Sequence, residues 1–531
     1  MRARGAPARR PFAKALLGGT LATRLARGPS LLPRTADDQT LVEAIAALTG
    51  GAAAVVVDEA LFRIARRRRA AKLSLALGLG VAAGTAYGVA RRVRQRHPLV
   101  DAVESAGAVL SFGSGVSELE LSLFDAAVPK EQLVMVERGI GLGLATRAAT
   151  RALRAKLAEP RDLVKSGIAY RRLPTVSGGE GSHVPWETLD REGRKFLGLA
   201  ASAAEIARVT GRCARDPIRV YVGLDHGATI EEKVALGLAE LDRLGAFERR
   251  DLLVTCPTGA GYVNPVAIEA CEHLSGGDLA TVVLQYGNRR AHRSRREIPK
   301  AMELHRVLIL RLHERRQALD RSPRLLAYGE SLGSWVLAAL LAQEGVEAIG
   351  RYGVGSAALI GLPYDARLLL EPLLGQLDLL PGDAAQWQLR EDILADLRGS
   401  AAPRYVLYTH PEDPVALFPG ASLLWRRPPW LADRRVNRGR IASTMRFFPV
   451  LTFVQVLADM KNSTSFSPDF SEHDHDYRRE VPAIFRAVFD YDVDDDAVAR
   501  IGEQAQASVI RQYARERGLT DDPGAELLDV P

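Results

Sequence analysis

Tyr328-Gly329-Glu330-Ser331-Leu332-Gly333 stands between an apolar run, Leu325-Leu326-Ala327, and a helix-like run, Trp335-Val336-Leu337-Ala338-Ala339-Leu340. Gly329 to Gly333 forms a G-x-S-x-G pattern, and its placement says more than its letters. A serine on a tight strand-to-helix turn has its hydroxyl pushed out of the sheet. Glycine two residues before and two after lets the backbone fold that sharply. A plain structural turn is the competing reading. The strand in front and the helix behind favour a nucleophile elbow with Ser331 at its tip.

Outward from this turn, short apolar runs alternate with helical patterns. Ile218–Leu224 reads as a strand and Ile230–Leu244 as the helix after it. Leu252–Cys256 is the next strand, followed by a helix at Pro265–Leu274. Ala280–Tyr286 then leads through a charged helix, about Glu303–Leu319, to the elbow strand at Leu325. Gly345–Gly355 and Tyr405–Thr409 supply two further strands. Such alternation predicts a mostly parallel sheet with helices on both faces. Ligands bind such sheets at the carboxyl ends of the strands, where Ser331 falls.

A serine hydroxyl needs a base to take its proton, and the base needs an acid to hold its tautomer. Tyr405–Thr409 runs into His410-Pro411-Glu412-Asp413-Pro414, which puts Asp413 in a tight turn just past a strand end. An Asp-Pro turn former is the plainer alternative; Ser331 upstream at the right separation favours the acid. Beyond Asp413 the chain has only two of its ten histidines, in Ser471-Glu472-His473-Asp474-His475-Asp476-Tyr477. The base is therefore expected at His473 or His475, with a solvated acidic loop or a weak metal site as alternatives.

The oxyanion requires donors beside the nucleophile. One is the amide of Leu332. The other is expected in Pro257-Thr258-Gly259-Ala260-Gly261-Tyr262, after the strand Leu252–Cys256, where Gly259, Ala260 and Gly261 let the backbone approach a carbonyl. A phosphate cradle is the rival, but no Lys-Ser/Thr follows as a Walker loop requires. Asp225-His226-Gly227 is a second loop that could line the pocket. No cofactor is implied.

These stretches carry a resemblance. Val184-Pro185-Trp186, Leu189–Arg194, Asp216–Leu224, Pro257–Tyr262, Gly329–Ser334, Asp413-Pro414-Val415, Leu424–Pro428 with Trp430-Leu431, Phe447–Phe453 and the paired histidines before Tyr477 occur in order. The body resembles the catalytic domain of an actinobacterial-type α/β-hydrolase family whose members carry a membrane-associated amino-terminal domain. Ser30–Arg34 (Ser-Leu-Leu-Pro-Arg) resembles that family's entry to its hydrophobic region. The resemblance implies an α/β-hydrolase fold on a membrane-bound head, with esterase or lipase chemistry. This chain departs from the family pattern in Glu472 and Asp474, which replace glycines around the paired histidines, and in a less hydrophobic head.

The amino-terminal head differs in composition from the body. Residues 1–100 hold 18 Lys/Arg against 5 Asp/Glu in a chain whose net charge is +7. The basic runs Arg66–Arg69 and Arg91–Arg96 bracket Leu73–Ala90, eighteen residues without a charge. That is about the minimum for a membrane-spanning helix, with Arg clusters placed among anionic headgroups. Membrane lipids are therefore the expected anionic partner, rather than nucleic acid. A buried Ala/Gly-rich helix is the alternative. Leu41–Val57, Ala106–Val128 and Met135–Ala152 are weaker, charge-interrupted candidates. Arg9-Arg10 resembles a twin-arginine export signal, but Arg24 and Arg27 interrupt the apolar region that should follow. Three cysteines, Cys213, Cys256 and Cys271, neither pair up nor show metal-ligand spacing, and read as buried apolar residues.

The expected organisation is a helical membrane-associated region over residues 1–165, a linker over 166–184 centred on Ser177–Ser182, a catalytic domain over 185–490, and a carboxyl-terminal helix and tail over 491–531. The expected function is a membrane-associated serine hydrolase acting on acyl or lipid esters, with Trp425, Trp430 and Phe447–Phe453 as candidates for an acyl pocket or lid, and plain core as the alternative. Two other readings use the same sequence: a non-catalytic membrane scaffold, and an acyltransferase with the same residues.

Overall fold

Among the described residues seven short runs form strands: β1 (Ile218–Val222), β2 (Asp251–Cys256), β3 (Leu279–Leu284), β4 (Arg324–Glu330), β5 (Ser356–Ile360), β6 (Ala384–Gln388) and β7 (Tyr405–Thr409). Every residue of β1, β2, β3 and β5 is buried. Continuous burial is what a parallel sheet covered on both faces requires. This computed structural model describes residues 11–32, 36–65, 170–288, 291–345, 348–377, 384–388, 405–432, 444–463, 470 and 474–516. The chain divides into two units. Met1–Arg161, Ala421–Asp433 and Ala442–Asp459 form one; Asp162–Gly420, Arg434–Ile441 and Met460–Pro531 form the other.

In the first unit, helices α1 (Pro11–Ala26) and α2 (Ala36–Ala65) meet backbone to backbone. A Cβ added at Gly18 would lie 2.4 Å from the Gly50 carbonyl oxygen, and one at Gly50 2.3 Å from the Ala22 Cβ. The Ser-Leu-Leu-Pro-Arg stretch begins there too: Ser30 Oγ and the Leu31 amide (3.1 Å) both donate to Asp459, on the helix Leu451–Ser463. Ala26, Val42, Ala46, Leu451 and Ala458 form the buried cluster of this unit. Among the described residues no helix is long and apolar enough to cross a membrane. Leu41–Val57 lies inside α2, whereas Leu73–Ala90, Ala106–Val128, Met135–Ala152 and Arg9-Arg10 fall outside the described residues. Trp430 is buried and Trp425 is exposed, and both belong to this unit.

In the second unit the strands lie in the order β1-β3-β2-β4-β5-β7-β6, all parallel. Parallel crossovers are right-handed, so the direction of each step decides which face receives the helix. Helices α3 (Ile230–Arg243), α5 (Ile298–Gln317), α6 (Leu332–Glu344) and α7 (Tyr364–Leu377) follow steps taken one way along the sheet, and they touch one another in succession. Helix α4 (Pro265–Leu274) follows the backward step from β2 to β3. It packs instead with α8 (Val481–Val488) and α9 (Asp495–Glu516). Neighbouring β2 and β4 thus send their chains to opposite faces, which opens a crevice at their carboxyl ends. Arg219 of β1 and Glu272 of α4 form a fully buried bidentate pair, at 2.6 and 2.8 Å, that ties the edge strand to the helix of the reversed step.

Three boundaries differ from the sequence reading. Gly345–Gly355 is not a strand: Gly345 (φ 81°) and Gly353 (φ 60°) flank a short helix, Ala348–Tyr352, and the strand is β5 just beyond. Ser177–Ser182 is not a loose linker. Its neighbour Val176 bridges Arg219 of β1, Ser177 is fully buried, and the Ser177 amide donates to the Arg219 carbonyl at 3.0 Å. The expected carboxyl-terminal helix is present (Asp495–Glu516) but is not separate from the body, because Tyr491, Val493, Ala497 and Ile501 enter the main core; residues 517–531 lie outside the described residues. Cys256 and Cys271 are buried, but Cys213 is exposed; all three are free.

Candidate active site

Ser331 is the single residue between β4 and α6, and its backbone has φ 53° and ψ −116°. Positive φ is rare for a residue with a Cβ and marks local strain. The turn is tight because both glycines are in contact with backbone. A Cβ at Gly333 would lie 2.1 Å from the Cys256 carbonyl oxygen, and one at Gly329 2.6 Å from the Gly333 carbonyl carbon. The Ser331 amide donates to the Ile360 carbonyl at the end of β5 (2.9 Å), which anchors the serine over the neighbouring strand.

Asp413 lies just past β7, fully buried, as the N-cap of the short helix Pro414–Leu417. Its Oδ1 accepts the Val415 amide at 2.8 Å. Its Oδ2 accepts two bonds, from His475 Nδ1 at 2.7 Å and from the Tyr477 hydroxyl at 2.5 Å. His475 is thus the histidine brought to the acid; His473 lies outside the described residues. The two strands carrying Ser331 and Asp413 are separated by β5 alone. Gly361, the residue after β5, touches the His475 ring: a Cβ there would lie 2.9 Å from Cε1 and 2.6 Å from the Tyr477 ring. Serine and imidazole therefore rest on consecutive residues, Ile360 and Gly361. The His475 Nε2 is buried and has no hydrogen-bond partner.

Burial alone would push the His475 pKa down. The charge and hydrogen bond of Asp413, with Glu330 and Asp474 nearby, outweigh it and leave the imidazole raised. For Asp413, burial pushes up; His475, the Tyr477 hydroxyl and the Val415 amide more than offset it, and the carboxyl is held below its ordinary value. Both shifts favour the ion pair over the neutral pair.

The loop after β2 flanks the elbow, since Cys256 is in register with Gly329. Its turn is closed by Thr258 N–H to the Tyr262 carbonyl (2.9 Å) and Gly261 N–H to the Thr258 carbonyl (2.8 Å). Gly261 is accordingly not an oxyanion donor here, because its amide is already used. Tyr221 Oη donates to the Gly261 carbonyl (3.2 Å), and Gln285 Nε2 to the Ala260 carbonyl (3.3 Å), so the loop is held from behind. Leu332 is the first residue of α6, where amides have no intrahelical acceptor.

Sequence reading missed three side chains. Glu330, next to the serine, accepts on Oε2 from the Tyr328 hydroxyl (2.5 Å) and Asn264 Nδ2 (2.9 Å), which clips the loop before α4 to the elbow strand. Burial holds the Glu330 carboxyl above its ordinary range despite these donors. Tyr477 and His410 complete the surroundings of Asp413. A glutamate between glycine and serine was visible in the motif; the other two are brought in by tertiary contact. Among the described residues no group of three or more His, Cys, Asp or Glu could hold a metal.

A serine on a tight strand-to-helix turn of a parallel sheet, followed along the chain by Asp413 and then His475, is the arrangement of an α/β-hydrolase. A family model described as alpha/beta-hydrolase family matches residues 218–378 and 381–501, more than half of the 531, and the chain belongs to that family. No curated protein matches the chain, and no solved structure does.

Proposed function

We propose that this family member is a membrane-associated serine hydrolase that cleaves acyl esters, lipid esters among them, through an acyl-enzyme on Ser331. The observation that carries the reading is the state of His475. One ring nitrogen is bound to a buried carboxylate, and the other is buried without a partner beside the strand end that anchors Ser331. As the Ser331 oxygen attacks the ester carbonyl, its proton passes to His475 Nε2. Asp413 keeps Nδ1 protonated and stabilises the imidazolium. The developing oxyanion faces the Leu332 amide and the Gly259-Ala260 backbone. The leaving alkoxide takes the proton from Nε2, and water, activated by the same nitrogen, then releases the acid and restores Ser331. No cofactor enters these steps. Membrane attachment rests on Leu73–Ala90 and its flanking arginines.

The experiment is a fluorophosphonate probe on detergent-solubilised full-length protein, with the adduct mapped by mass spectrometry. Labelling at Ser331, lost in Ser331→Ala, supports the hydrolase. Well-folded protein that stays unlabelled favours the scaffold reading instead. Membrane attachment is read separately, by flotation with vesicles containing anionic lipid.

A further inference from the structure

Behind Asp413 lies a second histidine that the proposed chemistry does not use. His410 follows β7 directly, and its side chain is fully enclosed. Nδ1 donates to the Asp474 carbonyl at 2.7 Å, one residue before His475. The ring packs on Tyr477, with centroids 4.4 Å apart, and the Tyr477 hydroxyl shares Asp413 Oδ2 with His475. The His410 carbonyl accepts the Asp413 amide at 3.1 Å. The side chain therefore touches both flanks of His475, while the backbone of the same residue closes the turn that carries its acid.

Residues 474–477 belong to no helix or strand, so side chains must set their place. His410 Nε2 stands 3.6 Å from the buried Glu480 carboxylate, within ion-pair reach, and neither atom has another hydrogen-bond partner. A phenyl ring would leave the Glu480 carboxylate and the Asp474 carbonyl without that partner. Of the two ring nitrogens, Nδ1 is the one that reaches the segment carrying His475.

We propose that His410 is a positioning residue for the base: its Nδ1–H bond to the Asp474 carbonyl and its packing on Tyr477 fix the His475 ring over Ser331. The inference rests on the Ser331–His475–Asp413 reading. Proton transfer is sensitive to small displacements, and a shift of about 1 Å costs on the order of a hundredfold. His410 acts on the acid as well as the base, because Tyr477 holds the oxygen that orients His475.

The test compares His410→Asn, His410→Gln and His410→Phe in the full chain by the kinetics of fluorophosphonate labelling. Asparagine carries its amide nitrogen where Nδ1 stood, whereas glutamine places it toward Glu480. His410→Asn should label within about threefold of wild type. His410→Gln and His410→Phe should lose about 10- to 100-fold in the inactivation rate constant, with less than about a twofold change in probe affinity. Equal rates for Asn, Gln and wild type overturn the inference, and so does a loss confined to affinity. If His410→Phe does not fold, the two amides still decide. Wild-type protein unlabelled at Ser331 overturns the hydrolase reading itself, which is a distinguishable result.

Discussion

The backbone of Ser331 makes a quantitative prediction about stability. At φ 53° and ψ −116° the residue occupies a region that glycine tolerates and a Cβ does not. Holding a non-glycine residue in such a region costs about 1–3 kcal/mol. Ser331→Gly removes that cost, and the greater freedom of glycine in the unfolded chain returns roughly 0.5–1 kcal/mol of it. The net expectation is a gain of about 1 kcal/mol. Ser331→Ala deletes the same hydroxyl but keeps the Cβ, so it is the reference that isolates strain from chemistry. Both variants should be unreactive toward the fluorophosphonate. In a unit of this size about 1 kcal/mol corresponds to roughly 2 °C in Tm. Calorimetry of the two variants, same buffer and same detergent, reads the difference directly. A Ser331→Gly protein that melts at or below Ser331→Ala would refute the reasoning, because the serine would then bear no strain.

Two further outcomes follow from the site. Gly333→Ala puts a methyl 2.1 Å from the Cys256 carbonyl oxygen, a backbone atom that cannot swing away; we expect a loss of about 1–3 kcal/mol in urea unfolding and slower labelling, and unchanged values of both would contradict the close packing of elbow and loop. The pH dependence has two signs. Catalysis needs neutral His475, whose pKa is raised, so labelling should fall on the acid side with a midpoint above the roughly 6.5 of an ordinary imidazole. Asp413→Asn should move that midpoint down while slowing the reaction, and a wild-type midpoint at or below 6.5 would count against the pair. For stability, the raised His475 contributes fully below about pH 6.5 and is lost as pH rises through its folded value. The lowered Asp413 contributes above about pH 4 and is lost as pH falls through its own.

How far the sequence could be read depended on whether the signal was local. Strands β1 to β4 were legible because parallel strands buried on both faces are mostly apolar runs, with β-branched residues in β1 to β3, and α4 because Asn264 and Pro265 mark its start. Ser331 and Asp413 were legible because each sits at the end of such a strand. The edge strand β6, Ala384-Ala385-Gln386-Trp387-Gln388, has no such run. Glycines misled twice, in Gly345–Gly355 and in Ser177–Ser182, where positive φ closes ordered turns and composition suggests looseness. The choice between His473 and His475 turns on which ring meets Asp413, a contact across 62 residues of chain. The parts played by His410, Tyr477 and Glu330 were equally out of reach, since each depends on which strand ends the sheet brings together.

The path of the chain between Asp413 and His475 has a practical consequence. After the acid turn it leaves the hydrolase unit, contributes Ala421–Asp433 and Ala442–Asp459 to the other, and returns to deliver the histidine. Asp459 there receives Ser30 and Leu31, and Leu451 and Ala458 share their core with Ala26, Val42 and Ala46. No single cut in the gene therefore separates enzyme from head. Deleting the amino-terminal helices would strip the partners from a helix that lies, in sequence, between the proposed acid and base. Gene fusion or truncation would have to treat the two units as one heritable piece.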